Sequence, residues 1–161
     1  MRKKSNNKVK LNEPNISSSF VSEVKQIIYL GRQKAYASIN SAMMETYWNI
    51  GKRIVIEEQK GDKRAKYGKR LIQELSKELT GTFGKGFSPR YLAYFRLFYT
   101  VIPDIKILQT RLQNLTWSHI LKTLRVENPV AMRWYLDTAA EQMWSVKALD
   151  RNISTQYYER H

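Results

Sequence analysis

The sequence predicts an all-α protein, a single domain of about six or seven helices with a helix-turn-helix-like unit and a long N-terminal helix. Three observations carry that expectation. Apolar residues recur at spacings of three, four or five over long stretches, which places them on one helical face. No alternation with a period of two survives beyond a few residues. A cap residue followed by proline, a helix-starting pair, occurs at Ser88-Pro89 and again at Asn128-Pro129.

The elements follow in chain order. Residues 1–17 are polar and basic, with hardly any apolar content, and read as a disordered arm, leaving 18–161 as the helical domain. Over 19–59, Val24, Ile28, Gly31, Ala35, Ile39, Ala42, Tyr47, Ile50 and Ile54 keep helical spacing. That is one long amphipathic helix, or two with a break near Asn40 or Gly51. The stretch KGDKRAK then makes a turn with a knot of positive charge. A second helix fits 67–79, where Tyr67, Leu71, Ile72, Leu75 and Leu79 share a face, and Gly81, Gly84 and Gly86 end it and form the next turn. The Ser88 hydroxyl can accept from an orphan backbone N–H and Pro89 suits the first helical position, so a third helix runs over 88–101 and stops before Pro103. A turn or short helix is expected near 105–112, and a short helix over 116–124. Asn128 caps another that reaches about 143, and Ser145 caps a last one carrying Val146, Leu149, Ile153 and Tyr157.

With 161 residues and 42% apolar content the chain can bury a genuine core. No apolar run approaches the roughly 18–20 residues of a membrane span, and the N-terminus lacks the apolar centre of a secretory signal. No cysteine and only two histidines, His119 and His161, exclude a disulfide framework and a thiolate or His-rich metal site, and no cofactor is expected. A cytoplasmic setting fits all of this. Charge is the informative term: the formal net charge is +14, from 28 basic and 14 acidic residues. Residues 60–125 hold 14 of the basic and 4 of the acidic side chains. Such a surplus favours a polyanionic partner, nucleic acid before an anionic membrane surface.

The glycine-rich GTFGKGFS resembles a nucleotide loop, but the phosphate loop requires four residues between its first glycine and Gly-Lys-Ser/Thr, after a strand. Here a helix precedes it, and a tight turn needing positive φ explains the glycines. In the helix that follows, Leu92, Phe95, Phe98, Tyr99 and Ile102 form a stripe fit for a core. Lys85, Arg90, Tyr94 and Arg96 are left over. They are the candidates to meet bases or backbone, as in a helix-turn-helix, although the turn is longer than that motif's usual 3–4 residues. Lys63, Arg64, Lys66, Lys69, Arg70 and Lys77 are the phosphate-contact candidates. Paired carboxylates suited to acid–base or metal work are absent: Glu57 and Glu58 are adjacent and point apart, and Glu74 with Glu78 reads as part of a surface ion-pair set. His119 reads as a structural histidine near a helix start. Trp48, Trp117, Trp134 and Trp144 read as core.

Five segments in order, NSAMMETYWNIGKRI, YGKRLIQELSKEL, FGKGFSPRYLAYFRLFY, LTWSHILKTLRVENPVAMRWYLDTA and WSVKALDRNISTQYYER, closely resemble the N-terminal domain of the YhcG-type proteins, a bacterial family. The likeness runs from about residue 20 to 161, and it is the ordered set that makes it specific. It implies a helical domain that binds DNA or recruits a partner. It also implies a following nuclease domain of the PD-(D/E)XK superfamily that uses a divalent metal such as Mg²⁺. The 161 residues stop at Tyr-Tyr-Glu-Arg-His, before such a domain would begin, so the chain is expected to be a truncated piece, an isolated domain or the product of a split gene. No nuclease residue carries over.

The expectation is therefore a non-catalytic DNA-binding module that would deliver a nuclease domain. The alternative is a protein-interaction or dimerisation module, a homodimer built on the long N-terminal helix.

Overall fold

The structure is a computed structural model and describes residues 16–61 and 65–161, the side chains of residues 65 and 66 excepted. The basic arm expected over 1–17 lies almost wholly outside these residues. Every regular element among them is an α-helix: α1 (Ser18–Lys60), α2 (Ala65–Phe83), α3 (Pro89–Val101), α4 (Ile105–Thr110), α5 (Trp117–Leu124), α6 (Pro129–Glu141), α7 (Val146–Ser154) and α8 (Tyr157–Arg160). Contacts divide the chain into two units, one reaching to Tyr36 and the other comprising Ala37–His161. In the first, the apolar residues of α1 face solvent, with Phe20, Ile27 and Tyr36 each more than half exposed.

The long helix is unbroken, because both residues that read as possible breaks are points of close contact. Asn40 donates through Nδ2 to the Leu115 carbonyl (2.8 Å) and accepts from the Trp117 amide (3.3 Å). Gly51 is buried against α3, where a Cβ would run into the Phe95 carbonyl. The helix needs no side chain there, and its crossing with α3 demands that there be none.

The larger core joins Met44 and Trp48 of α1 and Phe98 of α3 to Ile120, Leu136 and Leu149 of α5, α6 and α7. Trp48 adds a polar anchor, its indole N–H donating to the Ile102 carbonyl at 2.6 Å in the interior. A smaller cluster of Ile54, Leu92 and Phe95 is flanked by Ile72, Leu75 and Leu79 of α2, so the stripes read on α2 and α3 face inward, whereas on α1 only Tyr47, Ile50 and Ile54 of the expected stripe do and Val24, Ile28 and Ile39 are exposed. Each buried side chain of this kind contributes about 1.5–3 kcal/mol.

The caps form as their residue types require. Ser88, Thr116, Asn128 and Ser145 each accept an N–H from the first turn of the helix they precede. Two boundaries differ from expectation. Gly81 does not end α2, which continues to Phe83 while the Thr82 hydroxyl donates back to the Glu78 carbonyl. The last helix is two helices: α7 ends at Ser154, Gln156 takes a left-handed φ of 55°, and α8 sets off again. The break is held by the Tyr135 hydroxyl, which accepts from the Tyr158 amide at 3.0 Å.

Candidate nucleic-acid interface

The turn between α2 and α3 is built by two left-handed glycines, Gly84 (φ 81°) and Gly86 (φ 108°), a conformation that a side chain would strain. It is tied to α2 by the buried Ser76 hydroxyl, which donates to the Phe87 carbonyl at 2.6 Å. Ser88 and Pro89 then launch α3, leaving Lys85 and Arg90 exposed on either side of the cap.

Arg90 lies along its own helix onto Tyr94. Its Nε and one terminal nitrogen stand 3.4 and 3.3 Å from the phenol oxygen, and the guanidinium carbon is 5.7 Å from the ring centre. Arg125, the exposed residue capping the C-terminus of α5, acts more weakly on the same hydroxyl. The hydrogen bond from Arg90, with a smaller one from Arg125, holds the Tyr94 phenol below its usual range against the opposing effect of burial. Neither arginine forms an ion pair among the described residues. Arg90 thus rests on a tyrosine and not on a carboxylate, an arrangement that leaves its charge available to an anion.

Arg96, expected to be free on the outer face of α3, is engaged. Its Nε donates to both carboxylate oxygens of Glu58 on α1, at 2.8 and 2.9 Å, and the Glu58 side chain is only 17% exposed. Among the residues expected to meet bases or phosphates, Arg96 is thus the one whose charge is already matched, in a pair that holds α1 to α3. Lys69, Arg70 and Lys77 are exposed on α2. Arg70 reaches Glu74 at 3.3 Å with both side chains largely in solvent, a pair of little energetic weight. Lys63 and Arg64 lie outside the described residues, as does the side chain of Lys66.

A concavity of about 380 Å³ lies between α1, the turn, α3 and α5. Tyr47, Phe95, Trp117 and Leu121 line it, with Tyr91 and Lys85 at the edge. Tyr47 stacks on Phe95 at 4.3 Å with the rings 7° from parallel, and Trp117 tilts against both. Burial, followed by the neighbouring Tyr91, raises the Tyr47 phenol above its usual range. A second, wholly different concavity of about 580 Å³ runs between α1 and α2, lined by Ile50, Ile54, Leu71, Leu75, Leu79 and Phe83 among others.

Arg125 and Tyr91 were not singled out in the sequence. A lone arginine just after a helix has no distinguishing local signal, and only the packing of α3 on α5 brings it to Tyr94. His119 is structural as expected. Its Nδ1 accepts the Thr116 amide at 3.0 Å to complete a capping box, which places the ring proton on Nε2, where it is donated to the Trp144 carbonyl at 2.8 Å. The divalent metal that a nuclease likeness implies has no residues here to hold it: no group of three or more His, Cys, Asp or Glu stands together among the described residues. No described helix is long and apolar enough to cross a membrane.

Over residues 23–160 the chain matches the family described as the DUF1016 N-terminal domain. It is 35% identical over 158 residues to a protein of Escherichia coli (strain K12) described as "Putative nuclease YhcG", a match covering 80% of this chain and 42% of the relative. The chain thus spans less than half the length of the relative it matches, and the likeness to a YhcG-type N-terminal domain holds across most of the sequence. No solved structure matches.

Proposed function

Because the chain belongs to the DUF1016 N-terminal domain family, we propose that it is a non-catalytic module that binds nucleic acid, DNA first, and delivers a nuclease domain to it in the longer relatives, within the cytoplasm. The carrying observation is Arg90, exposed and laid on Tyr94, with Arg125 acting more weakly on the same hydroxyl and no neutralising carboxylate on either among the described residues. Lys85 flanks them on the turn, in the part of the chain that holds most of the surplus charge. The α2–turn–α3 unit serves as a loose helix-turn-helix. Its contact with nucleic acid is made by the first turn of α3 rather than by the whole helix, because Leu92, Phe95 and Phe98 are buried. Lys69, Arg70 and Lys77 add sequence-independent attraction to phosphates.

A salt titration of binding to duplex DNA tests this. Log affinity is expected to fall linearly with log salt, and Arg90→Glu with Arg125→Glu to reduce the slope by about 2 while the melting temperature stays put. Binding that ignores salt, or that survives the double reversal unchanged, rejects the proposal.

A second reading rests on the exposed apolar residues of the first unit, Phe20, Ile27 and Tyr36 among them. They suit a homodimer in which two copies pair along α1. Sedimentation showing a dimer that Ile27→Glu and Phe20→Glu dissolve would support it, and a monomer at all concentrations would reject it.

A further inference from the structure

We infer that the aromatic concavity beside Arg90 takes one unstacked nucleobase, so that the module grips a single-stranded or extruded nucleotide in preference to an intact duplex. This rests on the nucleic-acid reading above and specifies its ligand. The concavity, about 380 Å³, falls within the size range of small-ligand sites. Tyr47 and Trp117 line it together with Leu121, and both rings are held by contact with the buried Phe95, so a flat ligand meets a preformed wall. Every base has a π-face, and an aromatic wall therefore accepts any of them without reading sequence.

Tyr91 supplies the second feature. It is 41% exposed on the first turn of α3, and among the described residues its ring stacks on no other ring and its hydroxyl bonds to nothing. An exposed, unengaged tyrosine at the edge of an aromatic hollow is placed to close over a base. The third feature is charge. Lys85 lines the same hollow, and Arg90, adjacent in sequence to Tyr91, carries its guanidinium beside Tyr94. A base entering the hollow brings its sugar-phosphate to Lys85, with Arg90 one residue before Tyr91 on the same helix turn. The groove between α1 and α2 differs: its apolar lining is mainly Ile and Leu with Phe83 and Phe87, and its one arginine, Arg53, is paired with Glu57 at 2.9 Å. In duplex DNA the bases are stacked and paired, and filling the hollow would require extruding one at an unstacking cost of a few kcal/mol.

The test compares a 20-nucleotide single-stranded DNA, the same sequence as a duplex and as single-stranded RNA, each carrying a central 2-aminopurine, against the full chain and its Tyr91→Ala and Lys85→Ala variants. Single-stranded DNA or RNA is expected to bind about five- to a hundredfold more tightly than duplex, with 2-aminopurine fluorescence quenched on binding. Equal affinity for both strands attributes the site to the base alone, and a preference for one identifies the sugar it accepts. Either supports the proposal. Tyr91→Ala is expected to abolish the quenching and most of the preference while the circular dichroism melt is unchanged, and Lys85→Ala to weaken all strands alike. Equal binding to single strand and duplex, with Tyr91→Ala indistinguishable from the parent, overturns the pocket but leaves the nucleic-acid module standing. No binding to any of the three overturns both.

Discussion

The two sides of α3 use the same residue types to opposite ends. Toward α1, Gly51 lets the backbones meet, Trp48 donates to Ile102, and Arg96 is held by both oxygens of Glu58. Toward α5, Arg90 rests on Tyr94, a group that orients a guanidinium without cancelling its charge, and Arg125 acts more weakly on the same hydroxyl. One side converts positive charge into cohesion, the other keeps it outward. A basic residue is thus assigned by its partner and not by its helical position: Arg90 and Arg96 occupy the same helix and look alike in sequence.

The strongest way to break the comparison is at Gly51. In Gly51→Val the added carbons collide with the Phe95 carbonyl, which belongs to backbone and cannot rotate away. Overpacking of that kind costs about 3 kcal/mol or more, read as a drop of roughly 6–12 °C in the melting temperature for a chain of this size. The collapse of the α1 side also shifts Phe95, on which Tyr47 and Trp117 of the concavity pack, so nucleic-acid binding is expected to fall with stability. Tyr91→Ala, by contrast, leaves the melt intact.

Glu58→Ala sharpens the contrast further. Removing the carboxylate deletes a charge-assisted hydrogen bond that is half open to solvent, so the expected loss is about 1 kcal/mol, measured by urea denaturation. The same change frees Arg96, and affinity for nucleic acid should rise rather than fall if α3 lies near the bound strand. Stability down and affinity up is a signature that a purely structural account of both arginines does not produce.

What could be read in advance was local. Ser88-Pro89, Thr116, Asn128-Pro129 and Ser145 start helices because the side-chain acceptor and the orphan amides lie within three residues of one another. The buried stripe Leu92, Phe95, Phe98 and Ile102 follows from helical spacing alone. What escaped was set by distance in the chain. Glu58 and Arg96 are 38 positions apart, and no periodicity links them. Arg125 reaches Tyr94 only because α5 packs on α3. Gly51 read as a break because glycine weakens helices, whereas its role is to admit a neighbouring backbone. The left-handed Gln156 is a non-glycine whose conformation is supported by Tyr135, a residue of α6.

The smallest effect probes the α5 side without perturbing it. The Arg90 hydrogen bond, and to a lesser degree Arg125, favours the phenolate of Tyr94, whereas burial disfavours it at Tyr47 and Tyr135. In a spectrophotometric titration, Tyr94 should ionise before the other two, and Arg90→Ala should move that early step upward. A folded-state value below the unfolded one adds stability only where the phenolate exists: the contribution is complete above the unfolded value near 10 and vanishes as pH falls through the folded one. Near neutrality it is therefore nil, and Arg90→Ala should leave the neutral-pH melt unchanged while lowering the alkaline one slightly. Equal losses at both pH values would mean that Arg90 holds the fold together as Arg96 does, and the distinction between the two sides of α3 would fail.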